Sequence, residues 1–127
     1  MKNDIKNKED IYKLVKLFYK KLINDAEMYH FFIEFNNPEL LEKHLQVLVK
    51  FWDNILFYTG GYRKNAMEIH LDLHKKKPIH KKHFNIWLSV FNESVDELFD
   101  GEIAYAAKSR ALSIAIVMEI KVLELNS

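Results

Sequence analysis

An all-α fold follows from three features of the sequence. Apolar residues recur at three- and four-residue spacing along most of the chain, only three Gly and two Pro interrupt its 127 residues, and helix-start chemistry stands where the periodicity resumes. That length fits one domain able to bury its own core, so a single domain is expected over 1–127. Residues 1–8, MKNDIKNK, read as a flexible polar segment at its start.

The first helix is expected from about Lys8 to His30, with Ile11, Leu14, Val15, Phe18 and Leu22 on its buried stripe. Tyr19 stands at the edge of that stripe, four residues after Val15 and three before Leu22. By itself it reads as an amphipathic core tyrosine whose hydroxyl finds a partner at the rim. Phe31, Phe32 and Phe35 crowd the next turn, which closes at Asn36-Asn37-Pro38. Asn37 is the expected N-cap of a second helix, and Pro38 takes the first helical position, where its missing N–H costs nothing.

That second helix is expected from Pro38 to about Tyr58, its inward stripe being Leu41, His44, Leu48, Phe51, Trp52 and Ile55. A histidine in the middle of an apolar face either finds a hydrogen-bond partner or faces a ligand, because a buried unsatisfied polar group costs about 1–3 kcal/mol. Thr59-Gly60-Gly61-Tyr62 breaks the helix. Asn65 followed by Glu68 resembles a capping box opening a short helix, Ala66 to about His74, whose apolar side is Ala66, Met67, His70 and Leu73.

Lys75-Lys76-Lys77-Pro78 ends it. The next helix is expected from about Ile79 to Phe99, with Phe84, Trp87, Leu88, Phe91, Val95 and Leu98 inward, and Gly101 as a C-cap position in the turn beyond. The last, Glu102 to about Leu125, is expected to bury Ile103, Ala107, Leu112, Ile114, Val117 and Met118.

Composition excludes several functions. Nineteen Lys and Arg against eighteen Asp and Glu leave a net charge of +1, which argues against nucleic acid or an anionic membrane as the main partner. The N-terminus lacks the apolar core of a signal peptide and no apolar run is long enough to span a bilayer, so a cytoplasmic location is expected. Without cysteine the chain has no disulfide, no thiolate metal site and no attachment point for a covalent haem. Nine Phe, six Tyr and two Trp are more bulky apolar side chains than a minimal helical bundle needs, which suits a lined cavity.

Among possible chemistries, His70 and His74 lie one helical turn apart, but no carboxylate completes a zinc spacing and the neighbouring lysines oppose a dication. Only Glu27 and His30 have the Glu-x-x-His spacing of a di-iron bundle, which needs two such pairs. The basic loop Lys75–His83 lacks the interleaved aromatics of a nucleic-acid site and reads as solvated. No Gly-x-Ser-x-Gly occurs. There remain His44 and His70 on the apolar faces of two different helices, with Tyr19 and Trp87, in a phenylalanine-rich protein. Non-covalent haem b explains this set best, since it needs one neutral imidazole on iron, an apolar slot, and hydrogen-bond donors opposite.

From about Ile11 to Ala115 the sequence resembles the group III truncated haemoglobins. The resemblance is carried by Leu17-Phe18-Tyr19, by Lys43-His44 followed by Phe51-Trp52, by Thr59-Gly60 with Tyr62, by Met67 with His70, and by Phe84 with Trp87-Leu88 and Phe91. It implies a two-over-two helical sandwich around a haem. It also implies that His70 is the proximal iron ligand, that Tyr19, His44 and Trp87 are distal hydrogen-bonding residues, and that Leu48 is an apolar distal contact. Phe51, Trp52, Leu73 and Phe84 would line the slot. The chain departs from the family at Lys64-Asn65-Ala66, where Gly-Asn-Pro is common, and in a Lys- and His-rich loop that offers propionate partners. His74, His80 and His83 are expected to be loop and surface residues.

The same resemblance implies dioxygen and other diatomic ligands (NO, CO) at a pentacoordinate iron. Hydrogen bonds to a charged group contribute about 1.5–3 kcal/mol each, so two donors among Tyr19, Trp87 and His44 would slow ligand release by orders of magnitude. The expected role is therefore O2/NO or peroxide chemistry rather than oxygen delivery. No flavin or nicotinamide motif is present, so a separate reductase is expected. Alternatives are a non-enzymatic gas sensor or scavenger, and a haem-free helical protein with structural histidines.

Overall fold

The computed structural model describes residues 2–57 and 79–125. Among them are four α-helices, α1 (Lys8–Ile23), α2 (Pro38–Phe57), α3 (Lys81–Leu98) and α4 (Glu102–Leu125), with 3-10 turns at Tyr29–Phe31 and Ile33–Asn36 between α1 and α2. The expected short helix from Ala66 to His74 lies outside the described residues.

Helix α1 starts where Asn7, in extended backbone, accepts from the N–H of Asp10 at 3.0 Å. It ends at Ile23, a full two turns before the expected His30. Asn24 turns its side chain back onto the carbonyl of Lys20, and the Asp25 carboxylate accepts from the N–H groups of Glu27 and Met28. These short polar side chains supply backbone partners that compete with the helix. Asn37 caps α2 as expected, accepting from Glu39 at 2.9 Å and Leu40 at 3.3 Å.

The α1 stripe is buried as its spacing predicts, Tyr19 included. On α2 the fully buried stripe is Leu45, Leu48, Val49, Trp52 and Leu56, with Asp53. Leu41, His44, Phe51 and Ile55 are only half-buried beside it. Helix α1 packs against both α2 and α3, and α3 packs most extensively on α4. Phe91 of α3, fully buried, is the centre of this core: Trp52 stacks on it at 5.0 Å, Trp87 at 6.0 Å, and Phe18 meets it edge-on at 5.1 Å.

At the start of the chain, residues 2–7 pack onto the rest of the fold. Ile5 is buried, the N–H of Asp100 donates to the carbonyl of Asn3, and the Asp4 carboxylate accepts from Ile103 at 2.9 Å and Ala104 at 2.8 Å. Asp4 thus satisfies the first free N–H groups of α4 from almost the other end of the chain. Gly101 belongs to this N-terminus rather than to the end of α3, which closes at Phe99. Its φ is +144°, and a Cβ there would stand 2.5 Å from the Asp4 Cγ, so only glycine leaves room for the cap.

Helix α4 follows expectation only in part: Ala107 and Met118 are buried and Ile103 and Ile114 half-buried. Its inward face is Ala104, Ala107, Ala111 and Ala115 with Met118 and Val122, whereas Leu112 and Val117, expected inside, are exposed. Small side chains let α4 approach α3 closely. Polar and apolar residues alternate around the axis of the helix, which left little periodicity from which to read this orientation.

Candidate functional site

The α1 and α2 stripes bring Tyr19 and His44 together across the helix pair. The Tyr19 hydroxyl lies 2.7 Å from the His44 Nε2, and the rings are 4.9 Å apart. Phe32 and Phe35 close around them, Phe32 edge-on to Tyr19 at 5.5 Å and Phe35 stacked on the His44 ring at 4.6 Å. The bend after Ile23 carries these two phenylalanines back over the pair. Complete burial pushes the Tyr19 phenol above its ordinary range, so Tyr19 is a neutral hydroxyl at any physiological pH.

The direction of that hydrogen bond decides what the pair can do. A hydroxyl has one proton and two lone pairs. If His44 donates from Nε2, the tyrosine proton is left to point elsewhere; if Tyr19 donates to Nε2, it is consumed.

Beside the pair, Leu41, His44, Leu48, Phe51 and Ile55 fall at three- and four-residue spacing along one face of α2, and all but Leu48 are half-buried. An apolar strip with a hydrogen-bonding pair on it fits a flat apolar cofactor that carries a polar ligand. Phe51 and Trp52 meet edge-on at 5.4 Å but point differently: Phe51 lies on the half-buried strip, while Trp52 reaches the core and stacks on Phe91. Trp87 is buried, and the Phe18 ring meets both Tyr19, at 5.5 Å, and Trp87, at 5.6 Å. Phe84 is buried one turn earlier and, with Met28, Phe31, Phe32, Ile79, His83 and Trp87, encloses a small apolar cavity of about 20 Å³. His70 and Leu73 lie outside the described residues, as does His74.

His83 corrects the expectation of a surface residue. It is buried, its ring lies 4.8 Å from that of Phe31, and its Nδ1 accepts the N–H of His80 at 2.9 Å at the start of α3. His80 is exposed as expected. Burial lowers the His83 pKa, and the nearby charge of Lys82 and the rings of His30 and His80 add to this. The sequence carried a signal for it: His83 precedes Trp87 by four residues and so shares its face of the helix.

No family model matches the sequence. A curated relative described as group 3 truncated hemoglobin ctb, from Campylobacter jejuni, is 32% identical over 120 residues, spanning 91% of this chain and 90% of the relative. The crystal structure of a group III truncated hemoglobin from the same organism superposes with a TM-score of 0.85 at 29% identity, covering 96% of this chain and 95% of the other. The helical architecture is thus that of a globin-type haem protein. The chain belongs to the group III truncated haemoglobins, and its all-α fold is that family's two-over-two sandwich.

Proposed function

We propose that this protein holds haem b through His70 and binds dioxygen or another diatomic gas on the side of the haem where Tyr19 and His44 converge. Such a haem supplies a ferrous iron able to take a gas ligand at its open position. The observation that carries the reading is the 2.7 Å contact between the Tyr19 hydroxyl and the His44 Nε2, a buried phenol and a half-buried imidazole from different helices beside an apolar strip.

In this reading His44 donates to the Tyr19 oxygen and thereby turns the tyrosine proton toward the ligand. Burial keeps that proton on the phenol. Phe32 and Phe35 pack on the pair and shield the phenol from water, which strengthens any charge-assisted bond it makes. Leu48 and Phe51 contribute apolar contact, Leu73 and Phe84 the remaining lining, and Trp52 supports Phe51 from the core. Trp87 serves as an indole donor on the same side. A ligand held by such donors is retained, so the role is O2/NO or peroxide chemistry in the cytoplasm, with electrons from a separate reductase, rather than delivery.

Absorption spectra of the purified protein in its ferrous, oxygenated and carbon monoxide forms test the first half. The expected result is a Soret band whose ferrous form is five-coordinate; no Soret band after expression with added haem overturns the reading. Turnover tests the second half: catalytic consumption of nitric oxide or peroxide with a reductant supports it, and binding without turnover replaces it by sensing or scavenging.

A further inference from the structure

His83 stands where the start of α3 meets the segment that closes over Tyr19. It is 4% exposed, its Nδ1 accepts the N–H of His80 at 2.9 Å, and its own N–H donates to the His80 carbonyl at 2.9 Å. The side chain thus satisfies one of the N–H groups that the first turn of a helix leaves without an intrahelical partner. An imidazole that accepts at Nδ1 is neutral and carries its proton on Nε2.

The same ring belongs to the packing around Tyr19 and Trp87. It meets Phe31 edge-on at 4.8 Å, and with Phe31, Phe32, Phe84 and Trp87 it lines the apolar cavity of about 20 Å³. Phe32 in turn meets Tyr19 edge-on at 5.5 Å, and Trp87 follows His83 by one helical turn on the same face of α3. A cavity of that size holds about one water molecule, so displacement of one ring is passed to the others.

Building on the haem and gas reading above, we propose that His83 is a positioning residue that makes ligand retention depend on pH. Neutral, it holds the first turn of α3 against Phe31; protonated, it releases that turn and with it the packing that aims Tyr19 and Trp87. Protonation turns Nδ1 from an acceptor into a donor that opposes the His80 N–H. It also puts a cation at the positive end of the α3 dipole and among phenylalanine rings. Burial is the largest of the effects that keep the ring neutral. Lys82 and His80 of α3, and His30 from the turn after α1, add to it, whereas Glu27, whose carboxylate already holds Lys82 at 3.2 Å, opposes it. The ring is therefore neutral above its ordinary 6.5 and charges as the pH falls through its lowered value, so retention is strongest at neutral pH and lost on the acid side.

The test is stopped-flow oxygen release from the ferrous haem-loaded protein between about pH 7.5 and about pH 5, with the Soret band followed to exclude haem loss. Loss of one hydrogen bond to a charged ligand is worth about tenfold or more, so release should speed up by about tenfold across this range. The acceleration should set in below pH 6.5. His83→Gln keeps an acceptor for the His80 N–H but has nothing to protonate, and its release should change by less than about twofold. Lys82→Gln, an exposed change that removes a facing cation and frees Glu27, should move the onset to higher pH. In the carbon monoxide form the Trp87 indole N–H resonance should shift with the same midpoint in the unaltered protein and stay in place in His83→Gln. Release indifferent to pH, an onset unmoved by Lys82→Gln, or an acid acceleration that survives in His83→Gln and so belongs to another group such as His44, would overturn this inference while leaving gas binding intact. Failure of gas binding shows separately, as no oxygenated spectrum at neutral pH, and would overturn both.

Discussion

The Tyr19–His44 pair yields the most discriminating prediction, because its two hydrogen-bond directions lead to opposite outcomes. Tyr19 is buried at 4% exposure, and its hydroxyl lies 2.7 Å from the His44 Nε2. If the phenol donates to a partly charged gas ligand, that bond contributes about 1.5–3 kcal/mol. Tyr19→Phe should then speed oxygen release from the ferrous protein by about 10- to 150-fold at 1.4 kcal/mol per decade. His44→Leu removes the donor that orients the phenol and should have a smaller effect in the same direction. Stopped-flow oxygen release measures both variants side by side. Release that is unchanged in Tyr19→Phe and slowed in His44→Leu would refute the reasoning, because it means that the tyrosine proton is spent on the histidine. Stability provides a control: Tyr19→Phe should cost about 0.5–1.5 kcal/mol in denaturant unfolding whichever way the bond runs.

Further outcomes are expected. Asp4→Ala should destabilise the fold by about 1 kcal/mol through loss of the α4 cap. Gly101→Ala should cost about 1–3 kcal/mol because its φ of +144° is strained and its Cβ displaces the same carboxylate, and the two losses should not add in a thermal-unfolding double-mutant cycle. Partial burial works to raise the Asp4 pKa, but the N–H groups of Ile103, Ala104, Ile5 and Glu102 outweigh it and hold the pKa below 3.8. The cap's contribution is therefore present above about that pH and lost as pH falls through the depressed value, and Asp4→Asn should flatten that part of an acid-unfolding curve. For His83 the folded pKa also lies below its ordinary 6.5, so stability is full above that pH and lost as pH falls through the lowered value, where protonation of Nδ1 breaks its bond to the His80 N–H. His83→Gln should remove this acid-side slope in urea midpoints compared between neutral and mildly acidic pH. Finally, His70→Gly should abolish the five-coordinate ferrous spectrum, and added imidazole should restore it; a variant that keeps the native spectrum would exclude His70 as the iron ligand.

Much of this molecule is legible in its residues because helical periodicity and capping are local. The all-α class, the α1 stripe, the Asn37-Pro38 start of α2 and the start of α4 near Glu102 all follow from side chains within four positions of one another. The pairing of Tyr19 with His44 is half legible: each stripe announces an inward polar residue, but only the crossing of two helices brings the hydroxyl to the imidazole. Tertiary packing alone decided the rest. Asp4 caps a helix about a hundred residues away, His83 is buried because the bend after Ile23 returns Phe31 onto it, and Phe91 becomes the aromatic centre because three helices converge there. The orientation of α4 is the clearest case. A helix whose polar and apolar residues are spread around its axis has no preferred inner face by itself, and packing against α3 turned its alanines inward and left Leu112, Ile116, Ile120 and Leu123 outside.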